Sequence, residues 1–364
     1  METAGTPPDP ARIPADIARR FVADLFGAME VPAADAELVA EVLVSADLRG
    51  IRSHGLARIP YFLVRLERGV ILPRPVFEFT ANTATTGLLD AGNGIGIVAA
   101  ERAMGEAMRM ASEHGTGFVV VKDSSHFGYA GFWADRAKRS GLIGISMSNS
   151  GGRVAPTFGA EPLLGTNPLA VSIPGGRDGT DFALDMATSA VAVGKVETAL
   201  REGRELSPGW VASTQTPSLD GDGVLSFDAP LLPLGGEGTE SGGHKGYGLG
   251  LLVELLCGAL GGTDFGARIA GASGESPPAM GHLMGALRID GFRPVDEVQA
   301  DMEAAFDRIR ASDKAPGHDR IHIHGEPEAM AEKRHLEEGI PVSHAVVRQL
   351  EIWGDRLGVA LVWP

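Results

Sequence analysis

Near the start of the chain, apolar residues recur at helical spacing: Ile17, Phe21, Leu25 and Phe26, then Leu38, Val42 and Leu43. From Pro14 to about Gly50 this predicts two amphipathic helices, with VPAADAEL opening the second and Asp35 in its first turn. A third helix is expected to follow His54 and run to about Glu67, ending at Gly69. From Pro75 the pattern changes to short apolar or β-branched runs bounded by Gly, Pro and Asn: FEFT, TGLLDAG, TGFVVVKD, LIGISMSNS, LAVSIP and TDFALDMA. These read as strands, with helices interleaved at about 97–113 and 129–140. Farther on, Leu249–Leu260 reads as a buried helix, GHLMGALRID as a strand, 295–311 as an amphipathic helix and RIHIHGE as a strand ending in a loop. EAMAEKRHLEEG and VSHAVVRQLEIWGDRLG close the chain as two helices. The Pro-rich residues 1–12 are expected to be frayed, and 201–243, rich in Gly, Pro, Ser and Asp, to form long surface loops.

The pattern predicts an α/β core with a discontinuous helical domain, 14–72 plus 295–364, around an α/β domain at 73–294. At 364 residues there is ample chain for two domains. The net charge of −15 disfavours a partner recognised through a phosphate backbone, so no nucleic acid is expected. A single cysteine, Cys257, excludes an intrachain disulfide framework and all-thiolate metal sites. The first 20 residues lack an apolar stretch of signal-peptide type, and the longest apolar run is too short to cross a bilayer. A cytoplasmic protein with no membrane partner is expected. Glycine, at 50 residues, is about twice as frequent as usual and is dispersed, which suits tight turns and ligand sites built from main-chain groups.

Several segments carry candidate chemistry. LLDAGNGIGIVAAERAM places Gly92, Gly94 and Gly96 between a strand and a helix. The third glycine falls one residue early for a dinucleotide fingerprint, so a glycine-rich turn before a packed helix is the better reading. In SHGLAR, His54 and Arg58 lie four apart and would share a face at a helix start capped by Ser53. An imidazole beside a guanidinium suits a carboxylate substrate, the guanidinium binding it and the imidazole moving a proton; the plainer reading is a surface His and Arg. KDSSHFGYAG puts His126 where a strand gives way to a helix, as a base or only a cap. Thr166 and Asn167 precede Pro168 in an extended or turn conformation, and Asp185 ends a strand, where it can orient a histidine or cap a helix.

SGGHKGYGLGLLVELL opens a helix with glycine-freed N–H groups and Lys245, an arrangement that would hold phosphate, although the P-loop spacing is absent. His322 and His324 would share one side of a strand, but with no evident acidic partner no metal site is assigned. Cys257 reads as inert core.

Taken in order, AEVLVSADLRGIRSHGLAR, DSSHFGYAGFWA, GLIGISMSNS, FGAEPLLGTNPLA, LDMATSAVAVGKV, GGHKGYGLGLLVELL and HGEPEAMAEKR resemble the malate/lactate/sulfolactate dehydrogenase type that lacks a Rossmann domain. The likeness spans about residues 14–345 and takes in ureidoglycolate dehydrogenase, diketogulonate reductase and cyclic-imine carboxylate reductases, with the N-terminal block most similar to ureidoglycolate dehydrogenase. It implies a family-specific mixed-sheet nucleotide-binding domain with a helical domain, in a homodimer. It also implies interconversion of a small 2-hydroxy acid and its 2-oxo acid with NAD or NADP, or reduction of a cyclic imine carboxylate.

Carried over by motif, cofactor contacts would be Ser150, Asp185, Met186, Ala187, His244, Lys245, Gly246, Gly325 and Glu326. Substrate contacts would be Ser53, Arg58, Asn149, Thr166 and Asn167. His54 would move the proton with Asp185 fixing its tautomer, and His126 would position substrate or share the proton work; in the family either histidine is the assigned carrier. The chain departs from the family at His324, where Pro is frequent, and across 210–243. Two other classes stand beside this reading: a non-catalytic anion-binding protein on the same fold, and a metal-dependent hydrolase using His322 and His324.

Overall fold

In the computed structural model, residues 10–176, 180–201, 203–212, 217–218, 229–269 and 275–362 are described. In chain order the elements are β1 (Ala11–Ile13), α1 (Ala15–Ala28), α2 (Ala33–Leu48), α3 (Ile59–Glu67), β2 (Glu78–Ala81), β3 (Thr86–Asp90), α4 (Gly96–His114), β4 (Thr116–Ser124), α5 (Ala130–Lys138), β5 (Leu142–Ser148), β6 (Leu169–Ile173) and β7 (Phe182–Met186). They continue with α6 (Val193–Arg201), α7 (Gly243–Glu254), β8 (Met280–Arg288), α8 (Val295–Ala311), α9 (Glu326–Glu338), β9 (Ile340–Val342) and α10 (His344–Leu357). The chain divides into two compact units, one of residues 1–69 with 326–364 and one of residues 70–325. The boundaries differ from those expected: α8 and the chain after it, to Gly325, belong to the second unit. The expectation of fraying over 1–12 falls mostly outside the described residues, but Ala11–Ile13 pair with β9.

The first unit is helical because its apolar stripes have each other to bury. Phe21, Val22, Leu25 and Phe26 of α1 and Val39, Val42 and Leu43 of α2 are buried. From Val42 to Leu48 every α2 residue is buried, the pattern of a helix covered on all sides. Phe26 meets Phe62 of α3 edge to face at 5.9 Å between ring centres. β1 and β9 form a small antiparallel ribbon, with Ile13 opposite Ile340. His335 of α9 is buried with Nδ1 2.8 Å from Leu48 O and 3.2 Å from Asp47 O; a ring nitrogen facing two carbonyls must carry a hydrogen, so it donates there and clamps the end of α2.

The second unit is built on a seven-stranded sheet in the order β2-β3-β4-β8-β5-β6-β7. Only β3 and β4 are parallel neighbours; the other adjacent pairs are antiparallel. The sheet is therefore mixed, as the resemblance implies, and not the parallel sheet of a doubly wound fold. β8 is buried at each position from Met280 to Ala286, as a central strand covered on both faces should be. Val253 and Cys257 pack with Val120 and Leu283 against one face of the sheet. The expected strand over RIHIHGE is absent: the segment carries no ladder and ends in a turn at 324–325, with Ala183 N–H donating to His324 O at 2.9 Å.

Strand directions determine where the chemistry gathers. β4 and β5 both run antiparallel to β8, and β7 runs the same way as β5 because β6 reverses twice. The carboxyl ends of β4, β5 and β7 thus share one edge of the sheet with the segment that enters β6. His126, Ser150, Thr166, Asn167 and Asp185–Ala187 all follow or precede strands at that edge. Loops can vary there without disturbing the ladder, and ligands of α/β sheets collect there.

Candidate active site

In the first unit, SHGLAR does not begin an α-helix. Two single 3-10 turns, Arg52–His54 and Leu56–Arg58, precede α3, and the spacing of four does not stack His54 on Arg58 as in a helix. Ser53 caps nothing; its Oγ lies 2.8 Å from His54 Nδ1. Arg58 reaches back instead, donating from Nε and Nη2 to Ser53 O at 3.3 and 3.0 Å. Ser53, His54 and Arg58 are thus brought together by one side chain–side chain contact and two side chain–backbone bonds across one tight bend. Burial, and then the adjacent Arg58 charge, push the His54 pKa down to about 3. The imidazole is neutral at pH 7 and holds the form that accepts a proton.

In the second unit, His126 follows β4 in the loop that enters α5. Its Nδ1 accepts from Gly128 N–H at 3.1 Å, so the neutral ring carries its hydrogen on Nε2. Asp185, at the end of β7, accepts through Oδ2 from Gly131 N–H at 3.0 Å and so satisfies a first-turn donor of α5. Both readings offered by the sequence for Asp185, orienting group and cap, concern the same carboxylate, and the cap is on α5 rather than on the helix that follows.

His282 was not singled out from sequence. It is fully buried on β8 beneath the His126 loop, with Nδ1 2.8 Å from Ser148 Oγ and Nε2 2.9 Å from Ser124 Oγ. Its ring stacks on Phe127 at 4.6 Å and 6°. Burial pushes its pKa down to about 3. The unfolded chain protonates this ring near 6.5, so unfolding takes up a proton below that pH. The stability it contributes is full above pH 6.5 and is lost as pH falls towards 3. Asp47, whose folded pKa is raised, acts in the opposite sense between its ordinary value and about 7. Urea midpoints between pH 6.5 and 4 are therefore expected to fall less steeply in His282→Gln than in the wild type. An equal slope would show that this ring does not set the acid sensitivity.

Loops at the sheet edge are laced together beneath the surface. Asn149 is fully buried: Nδ2 donates to Glu254 Oε1 at 3.1 Å and to Asp264 O at 3.0 Å, and Oδ1 accepts from Gly281 N–H at 2.8 Å. Asn167, also fully buried, donates from Nδ2 to Glu254 Oε2 at 2.6 Å and to Gly250 O at 2.9 Å, and accepts from Ser150 N–H at 3.1 Å. Both carboxamides, named above among the substrate contacts, lie in the frame under the loops. Ser150 Oγ accepts from Thr166 N–H at 3.1 Å, and Thr188 Oγ1 donates to Asn167 O at 3.0 Å. Thr166, Met186 and Ala187 remain half-buried at the edge. The centre of this lattice is Glu254, which also accepts from Gly266 N–H at 2.8 Å. In the sequence Glu254 is only a charge interrupting an apolar run.

That run is not the buried helix expected. α7 ends at Glu254 and passes into a π-helical turn, Leu255–Ala259, and Leu252, Leu255 and Leu260 are exposed. Cys257 is buried, and burial with the neighbouring Glu254 raises its thiol pKa well above the ordinary value. At the start of α7 a side chain on Gly246 would lie 2.1 Å from Leu234 O, so glycine allows the helix to seat on the 234–238 turn. That turn is tied to the sheet edge by Leu234 N–H donating to Thr188 O at 2.9 Å. His244 and Lys245 are exposed at this helix start, although their own N–H groups donate to Gly238 O and Gly242 O. Gly325 lies beside Ala183 of β7, and Glu326 opens α9 as a first-turn acid.

A cavity of about 730 Å³ is lined by Leu206, Pro208, Trp210, Leu234, Gly235 and Glu237, among others. It shares the 234–236 turn on which α7 seats. Its wall is largely apolar with a few polar groups, and it lies beside the start of α7, where Lys245 is exposed. Gly92–Gly96 take no part: Gly96 N–H donates to Ser125 Oγ at 2.8 Å and that hydroxyl donates to Gly94 O at 3.0 Å, as in a packed turn.

A mixed sheet with polar loops gathered at one edge, a helix start where Lys245 is exposed and a separate bend carrying an imidazole beside a guanidinium are features of an α/β enzyme built without a Rossmann sheet. The profile of the family described as malate/L-lactate dehydrogenase matches residues 13–351, and the chain belongs to that family of oxidoreductases. It is 38% identical over 348 residues to a malate dehydrogenase of Pyrococcus abyssi, covering 96% of this chain and 95% of that one. It is 34% identical over 332 residues to an L-sulfolactate dehydrogenase of Methanothermobacter thermautotrophicus, covering 91% and 93%. Its fold matches the structure of malate dehydrogenase from Pyrococcus horikoshii with a TM-score of 0.88 and 35% identity, over 99% of both chains. Other relatives are named as NAD(+)- or NADP(+)-dependent dehydrogenases, which supports a nicotinamide cofactor.

Proposed function

We propose that this protein reversibly oxidises a small 2-hydroxy acid, of the malate, lactate, sulfolactate or ureidoglycolate type, to its 2-oxo acid. The observation that carries this is the bend at Ser53–Arg58, where a neutral imidazole and a guanidinium are held within one turn. When bound, the nicotinamide group, NAD or NADP, supplies or takes the hydride at C2. Arg58 binds the substrate carboxylate, for which a planar two-donor guanidinium is suited. His54 takes the hydroxyl proton in oxidation and returns it to the nascent alkoxide in reduction. His126 presents Nε2–H, which fits it to hold a substrate oxygen and to position it. The side chains of Lys245 and His244 at the start of α7 hold the cofactor phosphates, with Ser150, Asp185, Met186 and Ala187 along the sheet edge.

Further supports bear on assembly and place. Exposed Leu252, Leu255, Leu260 and Phe265 give the second unit apolar surface for a homodimer of the kind the family resemblance implies. A lone buried thiol suits the reducing cytoplasm. The test is absorbance at 340 nm with NADH or NADPH and a panel of oxaloacetate, pyruvate, 3-sulfopyruvate and a cyclic imine carboxylate, and in the other direction ureidoglycolate with NAD or NADP. The proposal expects at least one 2-oxo acid or 2-hydroxy acid to turn over. Turnover of the imine alone would replace CH–OH by CH–NH chemistry, and no turnover with any member would contradict the reading.

A further inference from the structure

The bend that carries His54 is held from below by one carboxylate. Asp47, at the last turn of α2, is 4% exposed, and its Oδ2 accepts from Leu56 N–H at 2.7 Å. The rest of the bend is held by its own bonds: His54 N–H donates to Ile51 O at 3.0 Å, Arg58 N–H to Gly55 O at 2.8 Å and the Arg58 guanidinium to Ser53 O. Neither 3-10 turn has a side-chain cap. Between them, Gly55 lies flat on the carboxylate, and a Cβ there would sit 2.1 Å from Asp47 Oδ2 and 2.3 Å from Cγ. Asp47 is itself immobilised, because His335 clamps the carbonyls of Asp47 and Leu48, and Arg49 pairs with Glu332 of α9 at 3.1 Å.

We infer that Asp47 is a positioning residue for His54, its carboxylate setting the direction in which the Ser53–Leu56 bend presents the imidazole. The inference rests on the acid/base reading of His54 for its functional consequence, but not for its geometry. A carboxylate buried against a glycine and bonded to the next N–H determines the path of the chain on the C-terminal side of His54. Losing the acceptor, or placing a methyl group where the carboxylate lies, lets the bend turn. An imidazole displaced by about 1 Å costs on the order of 100-fold in rate. Asn at the same place keeps a carbonyl oxygen for Leu56 N–H.

Two readouts on the full chain test this. One is the rate at which diethyl pyrocarbonate modifies His54, followed by peptide mass, which requires no turnover. The other is kcat and KM for acid and cofactor. Asp47→Ala is expected to change the His54 modification rate at least fivefold and to lower kcat about 10- to 100-fold, with the cofactor KM within twofold. Asp47→Asn should stay within threefold of wild type in both. Gly55→Ala approaches from the other side of the contact and should change His54 in the same way, which keeps the test open if Asp47→Ala does not fold. A folded Asp47→Ala or Gly55→Ala with an unchanged His54 modification rate overturns the inference, as does an Asp47→Asn as impaired as the alanine variant. Failure of the functional reading shows separately, as His54→Ala retaining turnover while the labelling rates still respond.

Discussion

Replacing His54 with alanine is expected to lower kcat at least 100-fold, with cofactor affinity unchanged. A positioned acid/base contributes roughly 100- to 10,000-fold, and no other group in the Ser53–Arg58 bend can take the proton at neutral pH. The same assignment has a pH signature. Burial and Arg58 hold the His54 pKa near 3 in the free protein, so the ring is already a base at pH 7. In the oxidation direction kcat/KM, which reports free-enzyme ionisations, should not fall as pH drops through 6.5. Its acid limb belongs well below the ordinary histidine value. A variant turning over within threefold of wild type would remove His54 from the chemistry, and a limb centred at 6.5 would point to a solvated ring.

The second large effect falls on stability rather than chemistry. Glu254→Ala is expected to destabilise the protein by about 3 kcal/mol, because it leaves Gly266 N–H without its acceptor, takes one acceptor each from Asn149 and Asn167, and opens a void. Against a typical total of about 5–15 kcal/mol this is large. Glu254→Gln keeps one acceptor oxygen and should lose less. Urea unfolding followed by far-ultraviolet circular dichroism measures it, and a midpoint equal to wild type would show that the loops are held without this carboxylate. The lattice matters for function because Ser150, Thr166 and Thr188 hang from it.

Much of this was legible in the chain. The apolar spacing of α1 and α2 and the short β-branched runs located the helices and most of the strands, because those patterns express which face is buried. The glycine spacing after β3 was enough to set aside a Rossmann fingerprint, and the ordered motifs pointed to the family. What escaped depended on distant partners. The His54 bend looks helical in spacing, but a carboxylate eight residues before Gly55 overrides it. Asn149 and Asn167 look like loop polar residues, and nothing local shows that Glu254, 105 and 87 residues on, is brought beneath them. Leu249–Leu260 is apolar enough to be core, yet composition does not show which of its leucines meet protein. His282 stands in the apolar stretch Met280–Leu287 of its strand, and its partners Ser124 and Ser148 come from two other strands.

The most direct measurement uses NADH or NADPH carrying deuterium at the transferable C4 position, with the preferred 2-oxo acid from the panel, and follows the product by NMR. One deuterium is expected at C2 of the hydroxy acid per turnover, with none exchanged from solvent. Product with hydrogen from water at C2 would contradict direct hydride transfer and, with it, the role assigned to this protein.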